Sequence, residues 1–222
     1  MIDEKDLQIA VDHAVAGLKR AVRNLRKFSG SSATLPPSVV DSPIVRLAQA
    51  SVQNCRVFCD RETMLREFGF PKNGNACEIG TSTGIFARLI LDTLKPTTMH
   101  ICDIDFSRFD NRLRERPGVQ IHEGDSVKAI KSFADASLDF AYIDADHAYK
   151  SIKREIAAIR TKVKPGGYIA FNDYTRWSVT EVQPYGVVAA VNEAIRDEKW
   201  QMVAVALSGT GHFDVAVRVP PK

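Results

Sequence analysis

The chain has 222 residues, of which 45% are hydrophobic and 26% charged. Those proportions are ordinary for a soluble globular protein and exclude a disordered chain, a collagen and a disulfide scaffold. Lys and Arg number 30 against 27 Asp and Glu, a net charge of +3. That balance gives no reason to expect nucleic acid as a partner.

No apolar run approaches the roughly 20 residues needed to span a bilayer. The opening MIDEKDLQIA is polar and acidic, unlike a secretory signal. Of the four cysteines, Cys77 and Cys102 sit in apolar, strand-like runs, while Cys55 and Cys59 form a C-x3-C pair with no second pair to complete a zinc site. A reducing cytoplasm is the expected location.

Residues 1–28 read as a helix, with Leu18, Val22, Leu25 and Phe28 on one face. Lys19, Arg20, Arg23, Arg26 and Lys27 lie between His13 and Phe28 without a single acid. The expected role of that helix is to pack on the body or on a sister subunit, with a solvated basic face. SGSSATLPPS (29–38) reads as a linker, and 43–70 as further helix ending at the Gly69–Pro71 breaker. Residues 1–70 are thus expected to form an N-terminal helical extension, and 71–222 an α/β domain.

In that second part strands are expected near 75–79, 98–103, 118–122, 138–143 and 166–172. Helices are expected near 83–94, 107–116, 126–134, 148–162 and 185–197. Such alternation predicts a parallel sheet with helices on both faces. QMVAVAL (201–207) and HFDVAVRV (212–219), joined by SGTG, read as a hairpin. The expected fold class is α/β: a doubly wound, seven-stranded sheet whose C-terminal strand is antiparallel.

Ligands of open parallel sheets bind beyond the carboxyl ends of the strands. Those ends read Glu78-Ile79-Gly80-Thr81-Ser82-Thr83-Gly84, Asp103-Ile104-Asp105, Gly124-Asp125-Ser126, Asp144-Ala145-Asp146-His147 and Asn172-Asp173-Tyr174. Each of the five carries a carboxylate, and helix capping at Asp125, Ser126 or Asp173 would account for only some of them. Gly80 and Gly84 permit a tight turn and close approach of a ligand to the backbone. The spacing E-x-G-x-x-x-G departs from the dinucleotide fingerprint, and an acid-ringed turn disfavours a pyrophosphate. It suits a cationic ligand that carries hydroxyls.

This ordered set of motifs resembles the class I S-adenosylmethionine-dependent methyltransferases over about residues 75–219. Within them it is most similar to small-molecule O-methyltransferases with a D-x-D-H-x-Y segment after the fourth strand. The resemblance implies a Rossmann-like fold and S-adenosylmethionine as cofactor. It implies that Glu78, Ile79, Gly80, Thr81, Ser82 and Gly84 wrap the methionine part. Asp103, with Ile104 and Asp105 beside it, would hold the ribose. Asp125 and Ser126 would meet the adenine, and Asp144 the sulfonium end.

Two routes to deprotonating an acceptor hydroxyl stay open. Asp144 and Asp173 would hold Mg2+ or another divalent cation, or His147 would act as general base. Related metal-dependent enzymes place an Asn or Asp directly after the second carboxylate, where this chain has Tyr174. The aromatic Tyr174, Trp177 and Tyr185 are expected to line or cover the acceptor, and His212 to be structural. The expected partners are a small-molecule acceptor and, through the N-terminal helices, a second copy of the chain. The rival expectation is a protein that binds S-adenosylmethionine or S-adenosylhomocysteine without transferring methyl.

Overall fold

A computed structural model describes Asp12 and residues 42–181 and 183–221. The basic helix, the linker and the dimer expected through them lie outside the described residues. The unit Ser42–Lys222 is built on an eight-stranded sheet. Its strands are β1 (Arg56–Phe58), β2 (Asn75–Ile79), β3 (Thr98–Asp103), β4 (Val119–Glu123), β5 (Leu138–Ile143), β6 (Val163–Phe171), β9 (Gln201–Ala206) and β10 (Asp214–Arg218), in the order β1-β9-β10-β6-β5-β2-β3-β4. A two-stranded ribbon, β7 (Trp177–Ser178) and β8 (Gln183–Pro184), stands apart from it. The α-helices of this unit are α1 (Arg61–Glu67), α2 (Ile85–Leu94), α3 (Ser126–Ser132), α4 (Tyr149–Ile159) and α5 (Val187–Asp197).

The five strands β6, β5, β2, β3 and β4, the last of them at the sheet edge, run parallel. β10 is antiparallel to both β6 and β9, as the C-terminal hairpin predicts. Strand parity sorts the core. Cys77, Ile79, Ala141 and Ile143 face a layer holding Ile130 of α3, Ile152 of α4 and Val191 of α5. Ala76, Phe140 and Tyr142 face Met64 of α1 and Phe86 of α2. Successive side chains of a strand point to opposite faces, so a strand covered on both sides is apolar throughout. β2 breaks that rule once: Glu78 shares the parity of Ala76 and is buried.

The doubly wound architecture with its antiparallel C-terminal strand is the one expected, with one more strand in the sheet. That strand is β1, in a stretch read as helical. Arg56, Val57 and Phe58 pair in parallel with Ala204, Val205 and Ala206, and Leu207 N donates to Phe58 O at 2.9 Å. Three residues are too few for periodicity to separate strand from helix, so the pairing with β9 decides.

A second departure is the helix expected at 107–116. Phe106, Phe109 and Leu113 have helical spacing and are buried against the α2 side, yet the segment holds only a 3-10 turn, Asn111–Leu113. Asp105 accepts hydrogen bonds from the Ser107 N–H and hydroxyl, and Asp110 accepts from Arg112 N. These local side-chain bonds to the backbone replace helical ones.

The sheet order reverses at β2, which neighbours β3 on one side and β5 on the other. A crevice beyond the carboxyl ends of the strands is expected at such a reversal.

Candidate active site

The turn after β2 is tied down before any ligand arrives. Gly80 N donates to Cys102 O at 2.8 Å, and Thr81 N and Ser82 N both donate to Asp103 Oδ2 at 2.7 Å. Gly80 has φ +81°, and a Cβ there would fall 2.1 Å from Asp144 O. Glycine is what lets the β2 turn lie against the end of β5.

A cleft of about 510 Å³ opens at this point, a size suited to a nucleoside-sized ligand. Gly80, Ser82, Asp103, Ile104 and Asp144 form part of its wall, and Asp125 and Ser126 another part. Of the remaining expected cofactor residues, Ile79 and Thr81 are buried, and Gly84 opens α2 as its N-cap. Asp105 is spent on the Ser107 turn. Glu78 lies in the core with one carboxylate oxygen unpartnered. Burial, reinforced by the charges of Asp144 and Asp103, pushes its pKa up to about 8.

The three expected catalytic residues converge. His147 Nε2 lies 3.6 Å from Asp144 Oδ1 and 3.6 Å from Asp173 Oδ2. Asp144 belongs to the wall of the first cleft. Asp173 belongs to a second cavity of about 530 Å³, together with Arg61, His212 and Asp214. The buried Nε2 atom therefore lies between two carboxylates that belong to the walls of different cavities. Burial pulls the His147 pKa down, but the contact with Asp144 and the negative charges around it outweigh this and raise it above the ordinary 6.5. Burial raises the pKa of Asp173, whose backbone takes the left-handed φ of 53°. Such a conformation is costly for a residue with a side chain and is concentrated at functional sites.

The aromatic residues of the 174–186 loop divide. Tyr185 is buried with its ring stacked on His147, whereas the Tyr174 hydroxyl donates to Asn192 Oδ1 of α5 at 2.6 Å. Trp177 lies in the β7–β8 ribbon. His212, expected to be structural, lines the second cavity and lies parallel to Tyr185.

Arg61 escaped the sequence reading because it stands in α1, far from every motif. Its Nη1 lies 3.8 Å from Asp144 Oδ2 and donates to the Tyr142 hydroxyl at 3.3 Å. Tyr142 donates to Asp214 Oδ2 at 2.6 Å, and Asn172 Nδ2 donates to Asp214 Oδ1 at 3.2 Å.

These contacts bear on the expected divalent cation. Asp144 and Asp173 face the Arg61 guanidinium and the His147 ring, and Tyr174 is turned away toward α5. Among the described residues no group of three or more His, Cys, Asp and Glu is placed to hold a metal ion. The side chains present do not fit a divalent cation.

Residues 77–174 match the family described as "Methyltransferase domain". No curated protein matches the sequence. Among solved structures, the fold is similar to the N-methyltransferase NodS from Bradyrhizobium japonicum WM9, at 18% identity and a TM-score of 0.54, covering 72% of this chain and 94% of that one. It is similar to a candidate hemolysin from Lactococcus lactis, at 15% identity and a TM-score of 0.57, covering 81% of this chain and 91% of that one. A third is an S-adenosylmethionine-dependent methyltransferase from Mesorhizobium loti, at 15% identity and a TM-score of 0.52, covering 69% and 95%. At these identities the likeness speaks to fold. Among the described residues no helix is long and apolar enough to cross a membrane. Residues 77–174, which hold the strand ends that build the cleft, are thus similar to a methyltransferase domain, on a fold shared with S-adenosylmethionine-dependent methyltransferases.

Proposed function

We propose that the protein transfers a methyl group from S-adenosylmethionine to a hydroxyl of a small molecule, with His147 as the proton acceptor. The observation that carries this reading is the position of His147 Nε2, 3.6 Å from a carboxylate in each of two cavity walls. Cofactor in the first cleft and acceptor in the second would approach each other across Asp144 and Asp173, the wall residues that flank that nitrogen. One of the neighbouring folds, NodS, has been solved with S-adenosyl-L-homocysteine, which supports the choice of cofactor.

In the reaction, the acceptor oxygen attacks the methyl carbon in line with the sulfur. The C–O bond forms as the S–C bond breaks, and its electron pair stays on sulfur as a neutral thioether. The acceptor proton passes to His147 Nε2, where Asp144 and Asp173 stabilise the imidazolium. Asp103, Ser126 and the Gly80 turn would orient the cofactor. Arg61 would hold Asp144 in place. No step requires a metal ion.

The test is calorimetry with S-adenosylhomocysteine, followed by single-turnover methyl transfer to a panel of small hydroxylated acceptors. The expectation is cofactor binding by the wild type and by His147→Ala, with turnover only by the wild type and persisting after exhaustive chelation. Full turnover by His147→Ala would remove His147 from the mechanism. Loss of turnover on chelation, restored by Mg2+, would return the divalent cation to Asp144 and Asp173.

A further inference from the structure

Helix α4 buries Ile152, Ile156 and Ile159 against the sheet, and Glu155 lies on that same face. Its side chain is 3% exposed yet forms part of the wall of the first cleft. Glu155 Oε1 accepts a hydrogen bond from the Ser126 hydroxyl at 2.7 Å. Its Oε2 has no partner among the described residues. A buried acceptor left unpaired is costly, the more so when charged, so a carboxylate kept in this state beside a ligand cleft calls for a donor from the ligand.

We propose that Glu155 reads the six-position amine of the cofactor's adenine. The inference rests on the S-adenosylmethionine reading of the cleft. Position selects this end of the ligand. Ser126 follows β4, which is separated from β5 and Asp144 by two strands of the sheet, so the ligand end that meets Ser126 is the one away from the sulfonium. Chemistry selects the amine, because an exocyclic amine offers N–H donors to a carboxylate that can only accept.

The other acid at this corner is already committed. Asp125 Oδ1 accepts from Lys128 N at 2.9 Å as the N-cap of α3, and Asp125 Oδ2 lies 3.5 Å from Arg154 Nη2. Burial pushes the Glu155 pKa up to about 7. An incoming amine favours the carboxylate form.

The experiment is calorimetry at pH 8.5, where the carboxylate form prevails. Wild type and Glu155→Gln are each titrated with S-adenosylhomocysteine and with its 6-oxo analogue, S-inosylhomocysteine. The wild type should prefer the amine form by at least about 10-fold, since a site built around a hydrogen-bonding group rejects an analogue lacking it. In Glu155→Gln the preference should fall toward unity, because a carboxamide can present either its oxygen or its nitrogen to the ring. The two proteins should melt at similar temperatures, the change being isosteric.

A wild type that does not discriminate overturns the proposal. So does a variant that keeps the full preference, or one that weakens both ligands equally, which is the signature of a purely structural glutamate. Failure of S-adenosylhomocysteine to bind the wild type at all overturns the cofactor reading and this proposal with it. That result is distinguishable from binding without discrimination, which overturns the proposal alone.

Discussion

The His147 imidazole lies face to face with the Tyr185 phenol ring, their centroids 4.4 Å apart and their planes 17° from parallel. The stack fixes the plane in which His147 Nε2 can reach Asp144 and Asp173. Gly186, the next residue, donates its N–H to His147 O at 2.8 Å, so the backbone holds the same pairing. A Cβ on Gly186 would sit 2.2 Å from Tyr149 Cα, which leaves glycine as the residue that lets α5 begin this close to α4.

Tyr185→Leu should therefore impair turnover more than it impairs cofactor affinity. The stack contributes about 0.5–1.5 kcal/mol beyond burial, and misplacing a catalytic group by an ångström costs up to about 100-fold in rate. The expected result is a fall of roughly 10-fold or more in kcat with an unchanged affinity for S-adenosylhomocysteine. Tyr185→Phe keeps the ring and should retain most activity. Equal loss in both variants would assign the effect to the hydroxyl instead.

Gly80→Ala should cost both stability and turnover. The left-handed φ of 81° carries a penalty of about 1 kcal/mol or more for any side chain. The Cβ would also meet the Asp144 carbonyl at 2.1 Å, and backbone rather than a flexible side chain would have to move. A loss of about 2 kcal/mol or more in urea unfolding is expected, along with weak cofactor binding. Wild-type stability in this variant would mean that the turn relaxes freely and that the close contact is not needed.

The parts of the fold readable in the sequence are those with long periodic signals. The apolar runs of β2, β3 and β5 and the Ile152, Ile156, Ile159 stripe of α4 are set by burial, which residue type reports directly. β1 was hidden because its three residues gain strand geometry only from β9. The 107–116 segment misled because the helical spacing of Phe106, Phe109 and Leu113 is also met by a turn pinned by Asp105 and Asp110. In the site, the strand-end acids were legible from their positions. Arg61 was not, since no local pattern announces that α1 will deliver it to the end of β5. Glu155 did leave a signal: a charged residue on an otherwise apolar helical face needs a partner or a purpose.

Tyr142→Phe should destabilise the protein by about 1–3 kcal/mol, the usual penalty for leaving a buried polar group unpaired. Tyr142 is fully buried and sits between the Arg61 guanidinium and Asp214, a carboxyl that burial pushes up to a pKa of about 7. Removing the hydroxyl strips one donor from Asp214 and one acceptor from Arg61. Urea unfolding at pH 7 measures the loss. The double variant Tyr142→Phe, Asp214→Asn should recover part of it, because the amide needs fewer donors than the carboxylate; a purely additive double variant would show that the two side chains do not act together.

Acid should destabilise the protein through a pair of histidines remote from the catalytic trio. His100 Nδ1 and His122 Nε2 are 3.0 Å apart on the paired strands β3 and β4, and His100 stacks on Phe133. Burial, with the neighbouring His122 adding to it, lowers the His100 pKa to about 4, and burial lowers that of His122 as well. A histidine whose folded pKa lies below its unfolded 6.5 binds its proton first in the unfolded chain. The stability it contributes is fully present above pH 6.5 and is lost as pH falls from there toward 4. Glu78, Glu155 and Asp214 act with the opposite sign, since their raised folded pKa values make stability fall as pH rises through them. The pH slope of the wild type alone is therefore a sum, and the comparison must be with a variant. His100→Phe keeps a ring against Phe133 and removes one titration. Between pH 6.5 and 5 its unfolding free energy should fall less steeply than that of the wild type, measured as urea midpoints at matched ionic strength. Parallel curves for the two proteins would show that the histidine pair bears its protons equally well folded and unfolded.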